Sequence, residues 1–169
     1  MKRAWLAFSG LFASSCASTI RFEHQLEIRR LAQDVFAFVA DARNLSRWNY
    51  YVIAVKQTTS APVGAGTQFH LTRKSDAQDI EIVEWQAGHV VAFRTLPPER
   101  ALTMRFIVEA RGTETLLIDA WELDGGTALG RWLAQGRVKR AVGVNLEHLR
   151  ELLETGRTTL PDGRVSRLP

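Results

Sequence analysis

The sequence predicts an α+β domain: a seven-stranded, curved antiparallel sheet wrapped around one long C-terminal helix, with two short helices after the first strand. Three observations predict it. Period-two alternation of apolar and polar residues recurs along the first three-quarters of the chain. The later alternating segments are joined by hairpin-sized turns, which argues against the crossover units of a parallel sheet. From 127 to about 154 the apolar period changes to three and four, the spacing of one amphipathic helix.

The first strand is 19–28, where Ile20, Phe22, His24, Leu26 and Ile28 share one face against Arg21, Glu23, Gln25 and Glu27. Two short helical pieces follow. Val35, Phe36 and Val39 fall on one helical face, and Asn44 is the expected N-cap of a second turn that ends at Trp48. Six strands come next, at about 52–59, 67–74, 79–86, 89–96, 101–110 and 114–123. Their connections carry turn residues: "PVGAGT" at 62–67, Gly88, Pro97-Pro98 and Gly112. Gly125-Gly126 closes the meander. The final helix carries Leu129, Trp132, Leu133, Val138, Val142, Leu146, Leu149 and Leu153 on its apolar side, and Gly156 is its expected stop. Gly136 and Gly143 lie near that stripe and leave room for a ligand or for close approach of the sheet. The polar segment 155–169 is expected to be a loose tail.

The chain of 169 residues is expected to be one domain, 19–154, with a core of its own. One cysteine, Cys16, excludes an internal disulfide framework and any cysteine-based zinc cluster. The net charge of +4 owes part of its size to Arg157, Arg164 and Arg167 near the C-terminus, so it reads as a solvated surface and not as a nucleic-acid groove.

The segment 1–18 reads differently. A basic start at Lys2 and Arg3, an apolar run of 4–13 and small residues around Cys16 resemble a secretory signal. The competing reading is a disordered N-terminal extension, so cytoplasmic and exported locations both stay open. Lipid anchoring at Cys16 is the weaker option, because Ala13 stands where a lipoprotein box normally has Leu. No later apolar run is long enough to span a bilayer.

Val35, Phe36, Phe38, Ala40, Asp41 and Trp48, then Gly64, Gly66 and Thr67, then Asn145, Leu146 and Leu149 together resemble the START-like (SRPBCC) superfamily, in its polyketide cyclase/dehydrase branch. The resemblance spans about 19–154 and implies a helix-grip fold with a ligand cavity between sheet and final helix. It implies relatives that include aromatic-polyketide cyclases and dehydratases, and lipid or sterol carriers. The two short helices would then close one end of the cavity, with Trp48 at its mouth.

No nucleophile elbow is present, and the glycines at 64 and 66 precede a strand, so they make a hairpin and not a phosphate loop. None of the four histidines stands at metal-ligand spacing, and no cofactor or metal is called for. Two function classes stay open. In the first, a hydrophobic lipid, sterol or polyketide-like molecule is held by Trp48, Phe69, Leu71, Phe93, Phe106 and Trp121. In the second, a cyclase or dehydratase uses cavity groups as acid and base, with Asp119 and Arg94 as the candidates. Asp119 alternates with Leu117, Trp121 and Leu123, yet Leu116, Ile118 and Ala120 make the opposite face nearly as apolar, so the inward side of this strand stays open. Arg94 pairs with an anionic ligand if it faces the cavity and is solvated if it does not.

Overall fold

The computed structural model describes residues 19–124 and 128–168. The segment 1–18, with its export-signal reading and Cys16, lies outside the described residues.

Strand β1 (Thr19–Ile28) leads into helix α1 (Ala32–Val39), a short 3-10 turn (Ala42–Asn44) and helix α2 (Leu45–Trp48). Strands β2 (Val52–Gln57), β3 (Gln68–Arg73), β4 (Ala77–Gln86), β5 (Val90–Thr95), β6 (Leu102–Arg111) and β7 (Glu114–Asp124) then form the meander. Helix α3 (Ala128–Thr155) follows, and the hairpin β8 (Arg157–Thr159) and β9 (Val165–Arg167) ends the chain.

The main sheet has seven strands in the order β1-β7-β6-β5-β4-β3-β2, and every pair is antiparallel. Consecutive strands pair from β2 to β7, and β1 closes the other end against β7. One face is wet and the other packs on α3 through Val142, Leu146, Leu149, Leu152 and Leu153, all buried. The fold class predicted from the sequence is the one observed.

The register settles which way β7 faces. Asp119 lies opposite His24 of β1 and Phe106 of β6, and Trp121 lies opposite Phe22 and Met104. Phe106 and Met104 belong to the core, so Leu117, Asp119 and Trp121 point inward. In β4 the register shifts between Ile82 and Glu84. The extra residue resets the alternation, so that Ile82 and Trp85 both pack against the core. Trp85 there meets the Phe36 ring of α1 edge-on at 5.4 Å.

The two short helices form where the sequence predicts them, but the cap differs. The Asn44 side chain makes no cap; its Nδ2 donates to the Phe38 carbonyl at 2.9 Å. Asp41 takes the capping role instead, its Oδ1 accepting from the Arg43 backbone N–H at 2.9 Å. A carboxylate one residue before the turn is already placed for the exposed donors.

The C-terminal segment corrects an expectation. It is not a loose tail: Thr158 and Leu160 are buried, and β8 and β9 pair antiparallel. Arg164 clasps this hairpin onto the α2–β2 turn. Its guanidinium donates to the carbonyls of Val52 at 2.8 Å, Tyr50 at 2.9 Å and Ser46 at 3.2 Å. The polar composition of 155–169 hides this because one arginine and one leucine do the holding.

Candidate functional site

Where the inward face of the sheet parts from α3, a cavity of about 350 Å³ opens. Its floor comes from the sheet: Leu71 and Arg73 of β3, Gln78 of β4, Leu102 and Met104 of β6, and Trp121 of β7. The α2–β2 turn supplies Leu45, Asn49, Tyr51 and Val52, and α3 supplies Arg137, Val138, Ala141, Val142 and Asn145 as the roof. The walls are therefore mostly apolar, with a few polar groups, as in small-molecule sites generally.

Those polar groups differ in what they have left to offer. Asn145, 4% exposed, fixes the turn to the roof: its Oδ1 accepts from Tyr50 N–H at 3.0 Å and its Nδ2 donates to Asn49 Oδ1 at 3.1 Å. The Arg73 guanidinium is paired with Asp76, at 2.7 Å between Nη2 and Oδ2. Gln78 is also buried, at 8% exposed.

Behind the cavity wall stands Asp119, 1% exposed. The Trp121 indole N–H donates to its Oδ2 at 2.8 Å, and Oδ1 is buried with no hydrogen-bond partner among the described residues. Burial disfavours the charged form and pushes this carboxyl up to about 7, while the indole hydrogen bond pulls weakly the other way. Trp121 in turn stacks on Phe22, with centroids 5.9 Å apart and planes 9° from parallel. Trp121 is thus both a cavity wall and the cover over a carboxyl that can hold a proton near neutral pH.

His24 sits beside this pair, and its Nε2 is 2.9 Å from the Lys139 carbonyl of α3. Gly143 makes that approach feasible: a Cβ built there would lie 3.2 Å from His24 Cε1. Of the two roles read for Gly143, close approach of the sheet is the one the packing gives it. Gly136 meets nothing within 4 Å and borders an outer groove.

Of the six apolar wall residues read from the sequence, Leu71 and Trp121 line the cavity. The other four form a packed chain of rings beside it. Phe69 meets Phe93 at 6.4 Å, Phe93 meets Phe106 at 6.4 Å, and Phe106 meets Trp48 at 6.3 Å, all edge-on. Trp48, 4% exposed, is therefore core and not the mouth; its neighbours Leu45 and Asn49 reach the cavity instead. Arg94 needs the larger correction. It alternates with Ala92 on the outer face, is exposed, and borders a shallow hollow on the far side of the sheet. Phe93 and Thr95, both buried, flank it, so with those two facing inward its guanidinium points away from the cavity.

The sequence reading missed Gln78, Met104, Tyr51 and Arg137. Gln78 was accessible to it, since it precedes Ile80 and Ile82 on one face of β4. Arg137 belongs to the basic run "GRVKR", which stands out only once the run is seen to border the cavity. Among the described residues no group of three His, Cys, Asp or Glu side chains is placed to hold a metal ion, and no helix is long and apolar enough to cross a membrane.

Comparison with known proteins agrees with this geometry at the level of fold. The solution structure of the Aha1 dimer from Colwellia psychrerythraea aligns over 81% of this chain and 98% of its own, at 13% identity and a TM-score of 0.62. A START superfamily protein from Mycobacterium smegmatis covers 79% of this chain and 98% of its own, at 14% identity and a TM-score of 0.64. The di-domain ARO/CYC StfQ from the steffimycin biosynthetic pathway covers 80% of this chain and 50% of its own, at 14% identity and a TM-score of 0.64. Identities this low establish a shared fold alone. No curated protein matches the chain. The sequence model of one family, described as polyketide cyclase / dehydrase and lipid transport, matches residues 19–154, nearly the whole described domain. The chain belongs to that family, within the START-like superfamily.

Proposed function

We propose that the protein holds a hydrophobic small molecule of the lipid, sterol or polyketide-like kind in the cavity between the sheet and α3. The observation that carries this reading is the cavity itself: about 350 Å³, walled by Leu71, Leu102, Met104, Trp121, Val138 and Val142. That volume lies at the lower end of the roughly 300–1,000 Å³ usual for small-molecule sites. Burying an apolar ligand there removes its surface from water at about 25 cal/mol per Å².

Filling the space tests the reading. Met104 sits on the cavity floor at 7% exposure. Met104→Trp is expected to weaken binding of the neutral dye Nile red about tenfold, since added bulk in a packed site costs about 1–3 kcal/mol. A folded Met104→Trp protein that takes up the dye unchanged would sink this reading.

A second reading is favoured by one observation, the proton-holding carboxyl of Asp119 with its unpartnered Oδ1. A group that titrates near neutrality suits general acid–base work. Asp119 stands behind Trp121, however, and does not line the cavity, so this chemistry requires the Trp121 ring to move aside. Binding without reaction needs no such step and is the reading preferred.

A further inference from the structure

Outside the cavity, the middle of α3, the α2–β2 turn and Pro161 enclose an open groove of about 940 Å³. Groove and cavity share four lining residues, Tyr51, Arg137, Ala141 and Asn145, so one opens beside the other. Among the described residues the groove is lined by three exposed cations, Arg137, Lys139 and Arg140, and by no carboxylate. Among the described residues none of the three forms an ion pair. Asp162, next to the groove residue Pro161, is already bonded to Lys74 at 3.0 Å and to Arg164 at 3.0 Å.

The other polar groups at this opening are occupied. Asn145 is used at both side-chain ends by the turn, Arg73 by Asp76, and Lys74 by Asp162 and the Tyr50 ring, whose centroid is 3.2 Å away. Arg137 and Arg140, three apart on one helix, are neighbours of like sign, an arrangement that disfavours the helix unless an anion lies between them. Arg137 also touches both compartments. An oxyanion held there places whatever is attached to it at the cavity mouth.

Resting on the cavity reading above, we propose that the ligand is an anionic amphiphile. Its apolar tail fills the cavity, and its carboxylate or phosphate head is held in the groove by Arg137 and Arg140, with Lys139 adding charge. Guanidinium groups suit such heads because their planar N–H donors pair with two oxygens at once. Tyr51, 47% exposed, borders the path between the two compartments.

Displacement of Nile red from the full chain by dodecanoate and by dodecanol tests this, since the two share a tail and differ in the head. At low salt dodecanoate is expected to displace the dye about tenfold more tightly, the scale of a charge-assisted hydrogen bond, and added salt should erode the difference. In the doubly substituted Arg137→Gln, Arg140→Gln protein that advantage should vanish, the acid and the alcohol displacing the dye equally, because loss of the Arg137 wall contact acts on both tails alike. Both residues are exposed on α3, so circular dichroism should show the fold intact. Equal displacement by the acid and the alcohol, or an advantage that survives the double substitution, overturns the proposal and leaves the cavity reading standing. Sedimentation with phosphatidylglycerol vesicles but no preference for dodecanoate also overturns it, assigning the cations to a membrane surface. If Nile red, dodecanoate and dodecanol all fail to enter the wild-type protein, both readings fall together.

Discussion

Asp119 and Asp162 are the same side chain in two regions of the molecule, and their surroundings drive them apart. Inside the sheet, Asp119 receives one neutral donor, the Trp121 indole, and no cation; burial pushes it up to about 7. At the C-terminal clasp, desolvation acts on Asp162 in the same direction, but hydrogen bonds from Lys74 and Arg164 outweigh it and hold the carboxyl at about 2. Local charge, not depth alone, decides whether a carboxylate here stores a proton or anchors an ion pair. The interior carboxyl keeps its proton up to near neutrality, behind the cavity wall. The clasp is built to stay charged and keep the α2–β2 turn in place.

The sharpest way to break that comparison is to remove the titrating group. Below about pH 4, near the ordinary carboxyl value of 3.8, Asp119 is protonated folded or unfolded and has no effect on the balance. Between there and about 7 the unfolded chain gives up this proton while the folded protein keeps it, so stability is lost as pH rises. About three pH units at ~1.4 kcal/mol each amount to on the order of 4 kcal/mol. Urea denaturation of wild type and Asp119→Asn across this range should show their gap moving in the variant's favour by about that much. A gap that does not change with pH would mean that Asp119 is solvated or paired after all.

The clasp gives a smaller effect of another kind. Arg164→Ala leaves the carbonyls of Ser46, Tyr50 and Val52 without their guanidinium donor. A loss of about 2 kcal/mol is expected, from hydrogen bonds to a charged group in a partly buried site. Because Tyr51 lies within the turn so held, dye binding should weaken as well. Unchanged stability together with unchanged binding would show that Leu160 packing alone seats the hairpin.

Asp162→Asn should produce the smallest change, and only in acid. A carboxyl held down at about 2 contributes stability that is present above its ordinary value of 3.8 and is lost as pH falls through 2. Wild type and variant should therefore converge in thermal denaturation as the pH is lowered through that window. A difference that persists at the acid end would assign the effect to packing and not to charge.

Much of the architecture can be read in the residues. Alternation in β1 and β3, hairpin glycines such as Gly66 with φ at 81°, and the stripe Val142, Leu146, Leu149, Leu153 are local patterns with local causes. The site is only partly readable. The orientation of Asp119 was ambiguous because both faces of 114–123 carry large apolar residues, and pairing with β1 and β6 resolved it. Arg94 was misassigned in the enzyme reading because a single strand's alternation does not say which of its two faces meets the helix.

Periodicity, turn chemistry and short motifs, all carried by neighbouring residues, are enough to give the elements of 19–154, their order and the family they belong to, but not the C-terminal hairpin. Tertiary structure decided three things that depend on residues far apart in the chain. It set the bulge at Ile82–Glu84 that brings Trp85 onto the core, and it seated Leu160 and Arg164 against α2 and β2. It also gathered Gln78, Met104, Trp121 and Arg137 around one cavity. A side chain's solvation is fixed by what packs over it, and for these residues the covering group lies on another element.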